Sequence, residues 1–168
     1  MKQLDIAVDF DGTVVTHEFP NVGKDIGAEP VLKRLVEAGH RLILFTMRGN
    51  VTNNTGHSGD PPVILNGNFL DDAKKWFEDR SIPLYGCQCN PTQAAWTTSP
   101  KCYAHLYIDD AALGAPLKRD ADIAERPFID WEAVENIFEM DGILPPTSDF
   151  ISAMREDMAA NNQKSPFE

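Results

Sequence analysis

The sequence predicts an α/β domain, with a mostly parallel sheet and helices on both faces, and three observations carry that reading. Strand-like apolar runs alternate with segments of helical periodicity, in the order strand, helix, strand, helix, strand, strand, helix. Leu42-Ile43-Leu44-Phe45 is continuously apolar, as a strand buried on both faces must be. Asp9, Thr46 and Asp109 each directly follow an apolar run, so three separate segments bring polar groups to the carboxyl edge of the sheet, where open parallel sheets bind ligands.

Taken in order, Leu4, Ile6 and Val8 alternate in a short first strand that ends at Asp9. Residues 16–27, with Pro20, Gly23 and Gly27, read as a loop or small flap. Pro30 suits the first position of a helix whose apolar face is Val31, Leu32, Leu35 and Val36 and whose stop is Gly39. The second strand, residues 42–45, runs into Thr46, and residues 47–68 are then polar and rich in Gly, Asn and Thr. A helix over 68–80 places Phe69, Leu70, Ala73, Trp76 and Phe77 on one face. Residues 82–87 form the third strand, and residues 106–108 the fourth, which ends at Asp109-Asp110. Residues 111–130 read as mostly loop, and Trp131–Met140 as a helix with Asp130 at its N-cap. The domain is expected over residues 1–144. Residues 145–168 are a polar tail, with a short helix near 148–160 and disorder over 161–168.

A chain of 168 residues suits one α/β domain, and its 42% apolar content is that of a globular protein. The apolar runs are far shorter than a membrane span, and the first residues lack the apolar core of a signal peptide. A soluble, cytoplasmic protein without membrane contact is expected. Its three cysteines fit a reducing compartment. A net charge of -11 repels polyanions and argues against nucleic-acid partners, although a small anionic substrate needs only local positive charge. The sequence does not fix an oligomeric state.

The segment Asp9-Phe10-Asp11-Gly12-Thr13 carries the most specific chemistry. Two carboxylates two residues apart at a strand end can be aimed at one site once the chain turns, one to attack and the other to handle protons. Gly12 lets backbone N–H groups approach an anion closely. A phosphate dianion could not join Asp9, Asp11 and Asp109 in one cleft uncompensated. Like charges about 4 Å apart repel by about 4 kcal/mol at an effective dielectric near 20. A divalent cation and a lysine would balance them.

D-F-D-G-T resembles the first motif of the haloacid dehalogenase (HAD) superfamily, and the remaining motifs follow in order. Thr46 resembles the second-motif hydroxyl that binds the transferring phosphoryl group. Lys101 resembles the third-motif lysine, and Tyr107-Ile108-Asp109-Asp110 the acidic fourth motif. The resemblance spans roughly residues 4–140. It implies a single Rossmann-like domain and a phosphomonoesterase that works through an aspartyl-phosphate. In that scheme Asp9 is the nucleophile and Asp11 the general acid and base. Mg²⁺ is held by Asp9, the Asp11 backbone carbonyl and Asp109, with Asp110 close by or in an outer shell. Thr46 and Lys101 bind phosphate, and Gly12, read from its own chemistry, is counted with them.

The gaps between the motifs leave no room for a large cap, so an open core is expected. Its substrate would be a small phosphorylated metabolite or nucleotide. A nucleic-acid end phosphatase and a non-catalytic binding protein of the same fold are the alternatives. Arg48 either grips the substrate or is an ordinary surface arginine, and His17 either lines the entrance or is an exposed loop residue. Cys87, Cys89, Cys102 and His105 could supply four zinc ligands, but the C-x-C spacing is short and free thiols are the simpler reading. Residues 47–68, which leave directly from Thr46, are expected to form a loop over the site that shapes substrate choice.

Overall fold

The computed structural model describes residues 2–52 and 66–162. In chain order the elements are β1 (Asp5–Val8), α1 (Ala28–Glu37), β2 (Arg41–Leu44), β3 (Asn50–Val51), β4 (Gly67–Asn68), α2 (Phe69–Asp79) and β5 (Leu84–Cys87). A single 3₁₀ turn (Gln93–Ala95), β6 (Leu106–Ile108), β7 (Leu117–Lys118), β8 (Phe128–Ile129), α3 (Trp131–Met140) and α4 (Ser148–Asn162) complete them.

Four strands form one sheet in the order β5-β2-β1-β6, and every pairing in it is parallel. Chain order reverses beside β1: the first connections step outward through β2 to β5, and the last strand returns to the other side of β1. The crevice between the carboxyl ends of β1 and β6 is thus the topological switch point, the place where such sheets bind ligands.

Alternation along the strands explains the layering. Ile6, Val8, Leu42, Leu44 and Ile108 share one apolar cluster with Leu32 and Leu35 of α1, Trp76 and Phe77 of α2, and Val134 and Phe138 of α3. Burial of each such side chain contributes about 1.5–3 kcal/mol. The alternate residues Asp5, Ala7 and Ile43 are buried as well, and the connection carrying the 3₁₀ turn reaches that side. Its Asn90 donates from Nδ2 to Asp5 Oδ2 at 2.9 Å. Asp5 also pairs with Arg41 Nε at 2.6 Å, so a carboxylate buried at the amino end of β1 is fully partnered.

Most sequence-predicted elements shift by one or two residues, and α3 with its Asp130 cap matches: the Asp130 carboxylate accepts from Ala133 N–H at 3.3 Å. The first helix begins at Ala28, before Pro30, because a proline anywhere in the first turn removes only an N–H that has no partner there. Residues 111–130 are mostly loop, as expected, apart from Leu117 and Lys118, which pair antiparallel with Ile129 and Phe128. The tail helix α4 extends to Asn162, past the expected 160, and residues 163–168 lie outside the described part. Within 47–68, the described ends pair as β3 and β4, and the rest of the expected substrate loop, 53–65, lies outside the described residues. No helix among the described residues is long and apolar enough to cross a membrane.

Candidate active site

Each residue of the Asp9–Thr13 segment has a separate structural task. Asp9 leaves β1 with its N–H still on the Ile108 carbonyl at 2.9 Å, which locks the end of β1 to the end of β6. Phe10 is fully buried against Trp76 and Phe77. The chain then turns, with Val14 and Val15 N–H groups both on the Phe10 carbonyl at 2.8 and 3.1 Å. Thr13 pins the turn to two later segments. Its hydroxyl accepts from Asp110 N–H at 3.0 Å, and its carbonyl accepts from the Trp131 indole at 2.7 Å.

Asp9, Asp109 and Asp110 come together, each offering an oxygen within 4.8 Å of the others. They are the one cluster among the described residues with the geometry for a cation. Burial is the main cause that raises the Asp9 pKa, to about 7. The Phe10 N–H opposes this, and the charges of Asp109, Asp110 and Asp11 add to it. Asp110 is also raised, first by burial and then by Asp109, with His17 acting in the opposite sense. The protein's own cations do not neutralise the cluster: no Lys or Arg among the described residues pairs with these three carboxylates. All-oxygen, hard, clustered donors with excess negative charge fit Mg²⁺.

The pH dependence follows in sign. A carboxyl whose folded pKa lies above its unfolded value favours the folded state at low pH, and that contribution is lost as pH rises through the folded pKa. In chelator, the Asp9 contribution to stability therefore falls between pH 3.8 and about 7. Holding a divalent cation at this cluster would require the ionised form, so any rise in Tm on adding Mg²⁺ should be small at pH 5 and full at pH 8. Thermal melts with and without the ion measure it, and a Mg²⁺ shift independent of pH would contradict this electrostatic account.

Two of the sequence-based roles are revised. Gly12 was expected to let backbone N–H groups approach an anion; its own N–H is held by the Val15 carbonyl at 2.7 Å and is not among them. What the position requires is space and a left-handed backbone: φ is +80°, and a Cβ would sit 2.4 Å from Asp110 Oδ2. Arg48 is neither a surface residue nor a free substrate grip. Its side chain is 1% exposed, and its guanidinium clamps Asp11 in a fork, Nε to Oδ2 and Nη2 to Oδ1, both at 2.7 Å. The same group donates to the carbonyls of Pro20 and Asn21 at 3.2 and 2.7 Å and lies between the rings of Phe10 and Phe19. With its donors thus engaged, Arg48 joins the strand end, Asp11 and the flap into one unit. Consequently the Asp11 side chain belongs to this ion pair and not to the carboxylate cluster.

The flap is closed at its base by Thr16, whose N–H donates to the Lys24 carbonyl and whose hydroxyl accepts from Lys24 N–H at 2.7 Å. Phe19 at its tip packs on Phe69 at the start of α2. His17 lies on the exposed face of the flap, near enough to Asp110 to act on its charge.

Thr46 is nearly buried, and its hydroxyl accepts from Arg48 N–H at 3.2 Å. Lys101 is exposed. Its Nζ stands 5.7 Å from the centre of the Tyr107 ring and forms no ion pair among the described residues. The cysteines and His105 form no cation cluster among the described residues. His105 Nδ1 instead accepts from Asp5 N–H at 2.9 Å, and the three thiols are free.

Sequence reasoning missed Gln88. It follows β5 with φ at +63°, and its amide holds both backbone groups of Thr46. Oε1 accepts from Thr46 N–H at 3.1 Å, while Nε2 donates to the carbonyls of Thr46 and Arg48 at 2.6 and 3.1 Å. A polar residue directly after a third apolar run was the available signal.

No protein-family model and no curated protein matches this sequence. One solved structure does, described as that of a conserved protein coded by locus from Bacteroides thetaiotaomicron. It is 28% identical, with a TM-score of 0.61, and the match covers 89% of this chain and 98% of that one. The two chains therefore share one fold over nearly their whole length.

Proposed function

We propose that this protein is a Mg²⁺-dependent phosphomonoesterase of the haloacid dehalogenase type, acting on a small phosphorylated substrate. The observation that carries the reading is the Asp9, Asp109 and Asp110 cluster at the switch point of the sheet, with Asp9 at the end of the central strand β1. Those three carboxylates would hold the ion, whose chemistry is to neutralise charge on the phosphate and the nucleophile.

The residues then have defined tasks. An Asp9 carboxylate oxygen attacks phosphorus, and the bond to the ester oxygen breaks. Asp11 supplies the proton that the leaving alcohol takes, and later accepts one from the water that hydrolyses the aspartyl-phosphate. Either transfer requires an Asp11 oxygen to part from Arg48, so proton transfer is tied to the flap that shares the guanidinium. The Thr46 hydroxyl, at the end of β2, binds a phosphoryl oxygen. Lys101 adds positive charge from beside Tyr107, the strand residue two before Asp109.

p-Nitrophenyl phosphate should be hydrolysed with Mg²⁺, fall to background in chelator, and recover when the ion is restored. Full activity in excess chelator would sink the mechanism. The forked Arg48–Asp11 pair favours one second reading, a cation-binding protein of this fold without turnover. Mg²⁺ binding by calorimetry, with no hydrolysis across a panel of phosphate esters, would select it.

A further inference from the structure

We infer that Gln88 is a positioning residue, whose side chain carries the β2–β5 ladder one step past its end and thereby sets the placement of Thr46 and Arg48. The ladder proper ends with Leu44 opposite Cys87, and Gln88 N–H still donates to the Leu44 carbonyl at 2.7 Å. There the main chain turns away through a left-handed residue, φ +63°. A strand would have presented a peptide group to Thr46 at the next step. The Gln88 carboxamide, chemically a peptide without the chain, stands in for it. It accepts from Thr46 N–H and donates to the Thr46 carbonyl, and its second N–H reaches the Arg48 carbonyl.

Two consequences follow from what hangs on these backbone groups. The Thr46 hydroxyl is held by Arg48 N–H at 3.2 Å, so both ends of the 46–48 turn are fixed. Arg48 in turn holds Asp11 and the flap carbonyls. One side chain just past β5 therefore determines where the proposed phosphate-binding hydroxyl and the Asp11 clamp lie. Asp9, Asp109 and Asp110 are carried by β1 and β6 and do not depend on it. The choice of residue is specific. A left-handed position ordinarily takes Gly or Asn, but Gly has no amide and Asn is one methylene too short to reproduce the reach of Gln.

The clamp stands on the hydrogen bonds alone; its kinetic effect rests on the phosphohydrolase reading. The test compares Gln88→Ala with Gln88→Gly. Glycine suits φ +63°, so the second variant keeps the backbone unstrained while removing the amide. In both, the Thr46 amide should exchange with solvent about tenfold faster or more. Turnover of p-nitrophenyl phosphate should fall about tenfold or more through kcat, with Mg²⁺ affinity unchanged. Unaltered Thr46 exchange would overturn the clamp. A Gln88→Gly protein with faster exchange and wild-type kcat would overturn the positioning role. A wild-type protein without turnover would count against the hydrolase reading alone, and the exchange rates would still uphold or overturn the clamp.

Discussion

Asp9→Asn is expected to abolish phosphate-ester turnover, by on the order of 10⁴-fold or more, while the protein stays folded and still takes up phosphate. Asparagine matches the volume of aspartate, so nothing in the packing under Phe10 changes. What disappears is the negatively charged oxygen that attacks phosphorus in the proposed mechanism. The change also removes a group that the fold charges reluctantly, with its pKa raised to about 7 by burial and three neighbouring carboxylates. The folded state should therefore be no less stable in chelator at pH 8, and phosphate entry should be eased by the lost charge. Asp11→Asn gives the contrast. It leaves the nucleophile and impairs the proton transfers, so a loss of about 10²–10⁴-fold is expected. Steady-state kinetics on purified variants, with phosphate binding measured beside them, settle both. Near-normal turnover by Asp9→Asn would exclude covalent catalysis through Asp9.

The second large effect is on stability. Arg48→Ala strands a carboxylate that is 12% exposed and leaves the carbonyls of Pro20 and Asn21 without their donor. Removing one partner of a buried ion pair costs about 3–5 kcal/mol, because the other charge stays behind in a poor solvent. For a domain of this size that lowers Tm by roughly 10 °C. Arg48→Lys should recover only a small part, since an ammonium lacks the planar fork that meets both Asp11 oxygens. The double variant Arg48→Met with Asp11→Asn should regain much of the loss, because no unpaired charge remains. Calorimetric melting of the four proteins provides the check. An Arg48→Ala protein with wild-type Tm would mean that the clamp contributes nothing to the folded state.

The framework of the site was legible because strands announce their own ends. An apolar run that stops at a polar residue marks the carboxyl edge of a parallel sheet, and Asp9, Thr46 and Asp109 were each found that way. Residue roles that depend on long-range partners were not legible. Arg48 looked either superficial or substrate-directed, since a sequence does not reveal that Asp11 and two flap carbonyls consume its donors. Gly12 was read as letting backbone N–H groups approach an anion, whereas its missing Cβ matters because of Asp110, which lies far along the chain. The free thiols, the simpler of the two readings of Cys87, Cys89 and Cys102, agree with the structure, in which His105 Nδ1 serves the backbone of Asp5. Short pairings such as Leu117 with Ile129 escaped because two-residue strands have no periodicity to read.

The pairing of β1 with β6 matches Ile6 to Leu106, and that register has a consequence for the order of assembly. The β1–α1–β2 unit can close early, since its strands are near in sequence. Joining β6 to β1 closes a far longer loop and, by its entropy, belongs among the later contacts. Asp9 and Asp109 are brought together by that closure and by nothing earlier. A nascent chain still tethered before residue 109 has emerged would possess a folded β1 edge but no cluster of three carboxylates. Cation capture would then mark completion of the sheet, and Mg²⁺ would stabilise the finished protein against reopening at β6 without accelerating the first steps of collapse.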